Sequence, residues 1–311
     1  MDDVLRETDF SWLGKKYKGK VRDVYEQNDR LILITTDRMT GFDRLLAHIP
    51  CKGQVLNQIS AFWFEQTKDI IPNHVIAVPD PNVTVGKKCK PIRVEGVVRG
   101  YLTGVTDTAI WTRYSKGVRT FGGVTLPDGM KKNQKLPQPI FDPTTKENVH
   151  DRTLTPDQIV AEGFITKELF ENVKEKSLQL FARGQELAAQ RGLVLVDTKY
   201  EFGTDENGTL MLIDEIHTPD SSRYWYSESY EKRFAAGEEP EYFDKEFLRL
   251  WFKEHSDPYK DEKLPDAPRE LVEEMSRRYI HIYEQITGEK FVPGEQPILD
   301  RIERSLRQYA L

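Results

Sequence analysis

The sequence predicts an α+β fold of about two domains, and three observations carry that reading. The chain has 311 residues, against a usual domain size of roughly 100–200. Strand-like and helix-like segments come in separate runs rather than in strict alternation, which disfavours a doubly wound parallel sheet. Hydrophobic residues make up 38% and charged residues 31%, the balance of a chain that can bury a core. No internal repeat is visible.

The elements follow from local patterning. Residues 13–36 read as β structure, with Val21, Val24 and Tyr25 after Gly19, a compact apolar run at 31–34, and turn chemistry in Gln27-Asn28-Asp29. The spacing of Val55, Ile59, Phe62 and Trp63 predicts a helix over 55–69, closed by Pro72. Residues 91–102 read as a strand. Residues 121–155, rich in Pro, Gly, Lys and Asn, read as a long loop of the kind that is usually functional. Thr166 can cap a helix whose apolar face is Leu169, Phe170, Val173, Leu180 and Leu187, and Gly192 can end it. Strands are expected at 193–203 and 209–217. The last third reads as helical, with an amphipathic stretch at 243–252 and a helix from Pro268 to Gly288.

Composition narrows the setting. No basic start followed by an apolar run suggests a secretory signal. No stretch reaches the roughly 18 apolar residues that span a bilayer. Cys51 and Cys89 stand in no CxxC or Cys/His cluster, as expected of free thiols in a reducing compartment. A cytoplasmic protein with no membrane partner is therefore expected. The net charge of −6 argues against a nucleic-acid binder, although a local Arg/Lys cluster can still hold a small anion.

The most informative segment is Leu195-Val196-Asp197-Thr198-Lys199-Tyr200-Glu201-Phe202-Gly203. Side chains alternate along a strand, so Asp197, Lys199 and Glu201 share one face and Thr198, Tyr200 and Phe202 the other. Three charges on one face after an apolar run are costly to bury without partners. A metal and a phosphate would supply them. Asp205-Glu206-Asn207-Gly208 is a hairpin connection. A four-residue loop sets Lys199 opposite Asp214 and Glu201 opposite Leu212. An odd loop length would bring Glu215 to that face instead. Two carboxylates with room for water suit Mg²⁺, and Lys199 would stand near the same phosphates.

Other segments are weaker. In Thr218-Pro219-Asp220-Ser221-Ser222-Arg223-Tyr224-Trp225, two hydroxyls and an Arg can hold a phosphate or carboxylate. Glu95 and Arg99 on the 91–102 strand read more simply as a surface salt bridge. Gly19-Lys20-Val21-Arg22 could cover nucleotide phosphates, but it is neither a Walker A motif nor GxGxxG. His150-Asp151 ends the long loop, where a carboxylate could approach a metal.

Taken in order, these segments resemble the SAICAR synthetase family over nearly the whole chain. The most specific stretches are Pro91-Ile92-Arg93-Val94-Glu95-Gly96-Val97-Val98-Arg99-Gly100-Tyr101-Leu102-Thr103-Gly104, residues 195–203, and Asp214-Glu215 followed by residues 219–225. The resemblance implies a small β-rich N-terminal domain, distantly like that of kinases, over a larger α+β domain with C-terminal helices. We set the boundary at 1–112 and 113–311. It implies ATP-dependent joining of L-aspartate to the carboxylate of carboxyaminoimidazole ribonucleotide. It also implies residue roles. Gly19, Lys20 and Arg22 match nucleotide-phosphate contacts. Glu201 and Asp214 match magnesium-linked carboxylates, and Asp151 a further acidic residue near the metal. Arg99, Asp197, Ser222 and Arg223 match substrate contacts, and Lys199 lies with Asp197 in the catalytic cluster. In the family a Ser usually follows the glycine at 104 and contacts the ribonucleotide phosphate. Here it is Val105, so Thr103, Thr106 or a backbone N–H is expected to take over.

Two other functions compete. A kinase-like phosphotransferase would suit the Gly-Lys hairpin, but the sequence has no His-Arg-Asp or Asp-Phe-Gly stretch. A nucleotide-binding regulator without catalysis would tolerate loss of Lys199 or a metal carboxylate, and both are present.

Overall fold

A computed structural model describes residues 3–145, 154–243 and 246–311. The chain divides into two compact units: Met1–Phe62 with His74–Lys88 and Phe243–Leu311, and Trp63–Asn73 with Cys89–Tyr242. Its helices in chain order are α1 (Lys52–Thr67), α2 (Ile110–Ser115), α3 (Pro156–Ala161), α4 (Lys167–Gln190), α5 (Ser227–Ala236), α6 (Glu246–His255), α7 (Arg269–Thr287) and α8 (Ile298–Leu306).

The first unit is built on an antiparallel sheet. Its strands are β1 (Lys15–Lys18), β2 (Arg22–Glu26), β3 (Arg30–Thr35), β4 (Arg38–Gly41), β5 (Arg44–His48), β6 (Val75–Asp80) and β7 (Val83–Lys87). Five form one sheet in the order β1-β2-β3-β7-β6, while β4 and β5 pair apart. The expected Gln27-Asn28-Asp29 turn joins β2 to β3, where the Gln27 N–H donates to Arg30 O at 3.0 Å.

One apolar face of this sheet carries Tyr25, Ile32, Ile34, Val83 and Val85. Ile298, Ile302 and Leu306 of α8 cover it, with Leu5, Phe10 and Leu13 from the start of the chain. This departs from the expected division at residue 112, which gave the C-terminal helices to the other domain. A sheet with one apolar face needs a covering layer, and the sequence does not reveal which distant helix supplies it.

The second unit holds β8 (Lys90–Pro91), β9 (Val94–Tyr101), β10 (Thr120–Phe121), β11 (Val124–Thr125), β12 (Lys135–Phe141), β13 (Thr144–Thr145), β14 (Leu193–Thr204), β15 (Leu210–Ile213) and β16 (Ser222–Tyr226). Its main path runs β12-β9-β14-β15, with β13 on β9 and both β8 and β16 on β14. The region read as a long loop contains β12, which pairs with β9 through a register shift. Pro137 and Pro139 disguise it, yet Pro is tolerated at a sheet edge, where a missing N–H costs little. The α4 cap is as expected: Thr166 Oγ1 accepts from the Leu169 N–H at 3.3 Å, and Gly192 takes φ 72° just beyond the helix.

Ile302 is fully buried against the first unit's sheet. Ile302→Ala is expected to lower unfolding stability by about 2–5 kcal/mol, through lost apolar burial and the cavity left behind. Urea unfolding with unchanged slope would check it.

Candidate active site

The charged face of β14 forms as strand alternation requires. Thr198, Tyr200 and Phe202 are buried on one side. On the other, β9 sets Arg99 opposite Asp197 and Val97 opposite Lys199, so Glu95, Val97 and Arg99 share a face with Asp197, Lys199 and Glu201. On the other edge of β14, β16 sets Arg223 opposite Asp197. Leu195 pairs with Tyr224 and Asp197 with Arg223, so β14 carries one extra residue at Val196. Such a bulge re-aims the residues beyond it. It brings Arg223 to the face of Asp197, and Arg99, Asp197 and Arg223 lie level across three strands.

Two groups of charges result, separated along β14 by roughly 13 Å between positions 197 and 201 at ~3.3 Å per residue. At one end Lys199 Nζ donates to Glu95 Oε1 at 2.8 Å and Glu201 Oε1 at 2.7 Å. Glu95 Oε2 accepts from Thr144 Oγ1 at 3.1 Å. Burial alone would push the Lys199 ammonium toward neutrality, but Glu201 and Glu95 more than offset it and hold its pKa above the ordinary lysine range. Lys199 is therefore a fixed positive charge at neutral pH and no proton acceptor. At the other end Arg223 Nη1 donates to Asp197 Oδ2. Arg99 Nε donates to the buried Asp142 Oδ2 at 2.8 Å, and Arg113 Nη1 approaches the same oxygen at 3.3 Å.

The hairpin after β14 takes the odd loop length of the two alternatives. Thr204 pairs with Leu210 and Glu201 with Ile213, so the loop is Asp205–Thr209 and the ladder ends at Ile213. Neither Asp214 nor Glu215 pairs opposite Lys199. Asp214 takes φ 69° and breaks the strand, immediately after the residue opposite Glu201. Glu215 Oε2 accepts from Thr218 Oγ1 at 2.6 Å. The following turn is tied to the buried side of β14. The Tyr200 hydroxyl meets His217 Nε2 at 2.5 Å, and the Tyr224 hydroxyl donates to His217 O at 2.7 Å. Burial pushes the His217 imidazole down to about 3, so it is neutral. Gly184 of α4 makes room for it, since a Cβ there would stand 2.4 Å from His217 Cε1.

Several sequence-predicted residues stand elsewhere. Ser222 faces the opposite side from Arg223, buried, with its Oγ 2.8 Å from Thr198 Oγ1. Its strand position gives it the parity of Thr198 and removes it from the charged face. Thr103 Oγ1 donates to Asn133 Oδ1 at 2.7 Å, so that hydroxyl is already engaged. Val105 is exposed. Gly104 takes φ 101°, and a Cβ on it would sit 3.3 Å from Arg223 Nη1. Gly19, Lys20 and Arg22 belong to the first unit. There the Gly19 N–H donates to Arg22 O at 2.8 Å, and Lys20 Nζ donates to the exposed Asp43 Oδ1 at 2.7 Å. Asp151 lies outside the described residues.

Sequence reasoning missed three residues here. Glu95 is a buried partner of Lys199 rather than half of a surface pair with Arg99. Its shared parity with Arg99 on β9 was the available signal. Asp142 and Arg113 had none, because their segments carry no clear periodicity.

Among the described residues no group of three or more His, Cys, Asp or Glu side chains forms a metal cage. Of the two carboxylates expected to hold magnesium, Glu201 accepts from Lys199 Nζ at 2.7 Å through Oε1, and Asp214 follows the residue paired with Glu201. Mg²⁺ takes only one or two protein carboxylates and fills its remaining positions with water and phosphate oxygens.

Lys199→Met would remove the ammonium that Glu95 and Glu201 share, and taking one partner from a poorly solvated ion-pair group is destabilising. Lys199→Met should therefore lower the melting temperature more than Lys174→Met, a change on the surface of α4, and equal losses in melting curves would reject it.

The family model for SAICAR synthetase matches residues 15–265. Phosphoribosylaminoimidazole-succinocarboxamide synthase of Legionella pneumophila (strain Lens) is 58% identical over 313 residues, covering 99% of each chain. The chloroplastic enzyme of the same name from Arabidopsis thaliana is 56% identical over 298 residues, covering 95% of this chain and 72% of that one. Among solved structures, SAICAR synthase from Saccharomyces cerevisiae complexed with SAICAR matches with a TM-score of 0.80 at 30% identity, over 93% of this chain and all of that one. A type-2 SAICAR synthetase in complex with ADP matches with a TM-score of 0.67 at 26% identity, over 90% of this chain and all of that one. With a family model spanning most of its length and near-full-length relatives above half identity, the chain belongs to the SAICAR synthetase family.

Proposed function

We propose that this chain is an ATP-dependent carbon–nitrogen ligase of purine biosynthesis. It joins L-aspartate to the carboxylate of carboxyaminoimidazole ribonucleotide and releases SAICAR, ADP and phosphate. Beyond family membership, one observation carries the reading. A single sheet face presents guanidinium groups at one end and a carboxylate-clamped ammonium at the other. The reaction needs both, a seat for an anionic ribonucleotide and a cationic field for a transferring phosphoryl group.

A carboxylate is a poor electrophile, so amide formation needs an activated acyl group. In the proposed sequence the substrate carboxylate attacks the γ-phosphate of ATP and the aspartate amine then attacks the acyl phosphate, releasing phosphate. Charge spreads over the phosphoryl oxygens, so positioning and electrostatics dominate. Lys199, charged throughout the physiological range, supplies a fixed positive charge. Arg99 and Arg223 hold the ribonucleotide's anionic groups with Asp197 between them, and Asp142 keeps the Arg99 guanidinium in place. In the first unit, Gly19, Lys20 and Arg22 hold nucleotide phosphates. Lys20 exchanges Asp43 for phosphate at little cost, because an exposed ion pair is weak. Glu201 and Asp214 would hold magnesium, which would neutralise nucleotide phosphate charge. The adjacent acidic role of Asp151 rests on the family resemblance alone. The reading is of a cytoplasmic enzyme acting on small molecules. Among the described residues no helix is long and apolar enough to cross a membrane.

Formation of ADP should depend on both the imidazole ribonucleotide and aspartate. Dependence on neither would favour a phosphotransferase or a bare nucleotide binder. Glu201→Gln and Asp214→Asn should each lower turnover at least ~10²-fold by weakening electrostatic stabilisation. Near-normal turnover in both would mean the cation is held elsewhere. Oxygen label in the substrate carboxylate should appear in the released phosphate, and unlabelled phosphate would reject the acyl-phosphate order.

A further inference from the structure

The turn between β1 and β2 is held from beneath by one buried side chain. Arg38, at the start of β4, is 4% exposed. Its Nη2 donates to Gly19 O at 3.1 Å and to Asp23 Oδ1 at 2.8 Å, its Nε to Lys20 O at 3.2 Å, and its Nη1 to Arg6 O at 2.8 Å. Asp23 is itself fully buried, and its second oxygen accepts from the Thr8 N–H at 2.7 Å and Thr8 Oγ1 at 3.0 Å. The next carbonyl, Val21 O, accepts from the Thr36 N–H at 2.9 Å and Thr36 Oγ1 at 2.5 Å. Three successive carbonyls, Gly19, Lys20 and Val21, are thus committed to groups two strands away in sequence.

The amides show the opposite pattern. Among the described residues, the Lys20 and Val21 N–H groups donate to no protein acceptor. Gly19–Arg22 is a turn, closed by the Gly19 N–H to Arg22 O bond, and successive unpaired N–H groups in a turn make an anion-binding concavity. It lies between the Lys20 and Arg22 side chains in sequence. A planar guanidinium suits the brace, because its fixed fork reaches several acceptors at once and a lysine ammonium cannot reproduce that geometry.

We propose that Arg38, oriented by Asp23, is a positioning residue for nucleotide-phosphate binding. By fixing the turn's carbonyls it leaves the amides of Lys20 and Val21 to meet a phosphate. The inference rests on the reading that Gly19, Lys20 and Arg22 hold nucleotide phosphates. A buried Arg–Asp pair could instead serve stability alone, so the test needs a readout that simple destabilisation would not move.

Adenosine shares the base and ribose of ADP and lacks its phosphates. Calorimetric titration of the full chain with each ligand separates a defect at the phosphates from a general one. Arg38→Lys keeps a charge for Asp23 but loses the fork. It should weaken ADP about tenfold, in line with the loss of one to two hydrogen-bond equivalents, with adenosine changed less than about twofold. Lys20→Ala should show the same selectivity. If Arg38→Lys does not fold, Thr36→Val removes one anchor on Val21 O without touching the buried ion pair and should weaken ADP about threefold, with adenosine unaffected. If Lys20→Ala weakens ADP while both Arg38→Lys and Thr36→Val leave it unchanged, or weaken adenosine equally, the positioning role is wrong. If Lys20→Ala leaves ADP affinity intact, the phosphate reading itself fails, and this inference with it.

Discussion

Lys199 can be half-buried in charged form only because Glu95 and Glu201 stand 2.8 and 2.7 Å from its ammonium. Removing either partner would leave a charge in a poorly solvated place, and the rest of the face is arranged around avoiding that. The constraint fixes register. A slip of one residue would turn Asp197, Lys199 and Glu201 toward the apolar side and bring Tyr200 and Phe202 to the surface. Contacts on the hidden side oppose such a slip. Thr198 meets Ser222, and Tyr200 meets His217, each through buried polar atoms. The polar contacts beneath the strand thus hold the charges above it in place.

The guanidinium end obeys a related logic. Arg99 and Arg223 flank Asp197 across the sheet, and cations so close repel one another unless an anion intervenes. Asp197 serves Arg223, while Asp142 serves Arg99 and Arg113. Two carboxylates among three guanidinium groups leave a net positive charge, which suits an anionic ligand without requiring three bare cations to coexist. The bulge at Val196 makes the arrangement possible, because it changes which face β16 presents to β14. Ser222, one residue from Arg223, goes to the buried side for the same reason.

Much of this was legible in the sequence where one strand's alternation decides the outcome. The shared face of Asp197, Lys199 and Glu201 follows from period two alone, and the α4 cap from Thr166 and Gly192. What was not legible depends on pairing between segments. A hairpin loop of five residues rather than four shifted the register by one, and the left-handed backbone at Asp214 ended the ladder before either parity argument could apply. β12 was hidden by its prolines, and with it Asp142. The membership of 243–311 in the first unit depends on which apolar surface α8 finds, a long-range choice that leaves no periodic trace in either segment. For Lys20, Arg22 and Asp214 local spacing offered only weak or alternative readings, and the family resemblance pointed to particular roles among them. It offered nothing on Arg38, whose side chain meets three backbone carbonyls and the Asp23 carboxylate rather than belonging to any motif.

The core shared by Leu5, Phe10 and Leu13 with Ile298, Ile302 and Leu306 has a bearing on biosynthesis. On the ribosome, the strands that emerge first expose an oily surface whose natural cover is translated only after the entire second unit. The earliest-made sheet is therefore the last to be sealed, and nascent chains stalled late in translation would present it to chaperones or to one another.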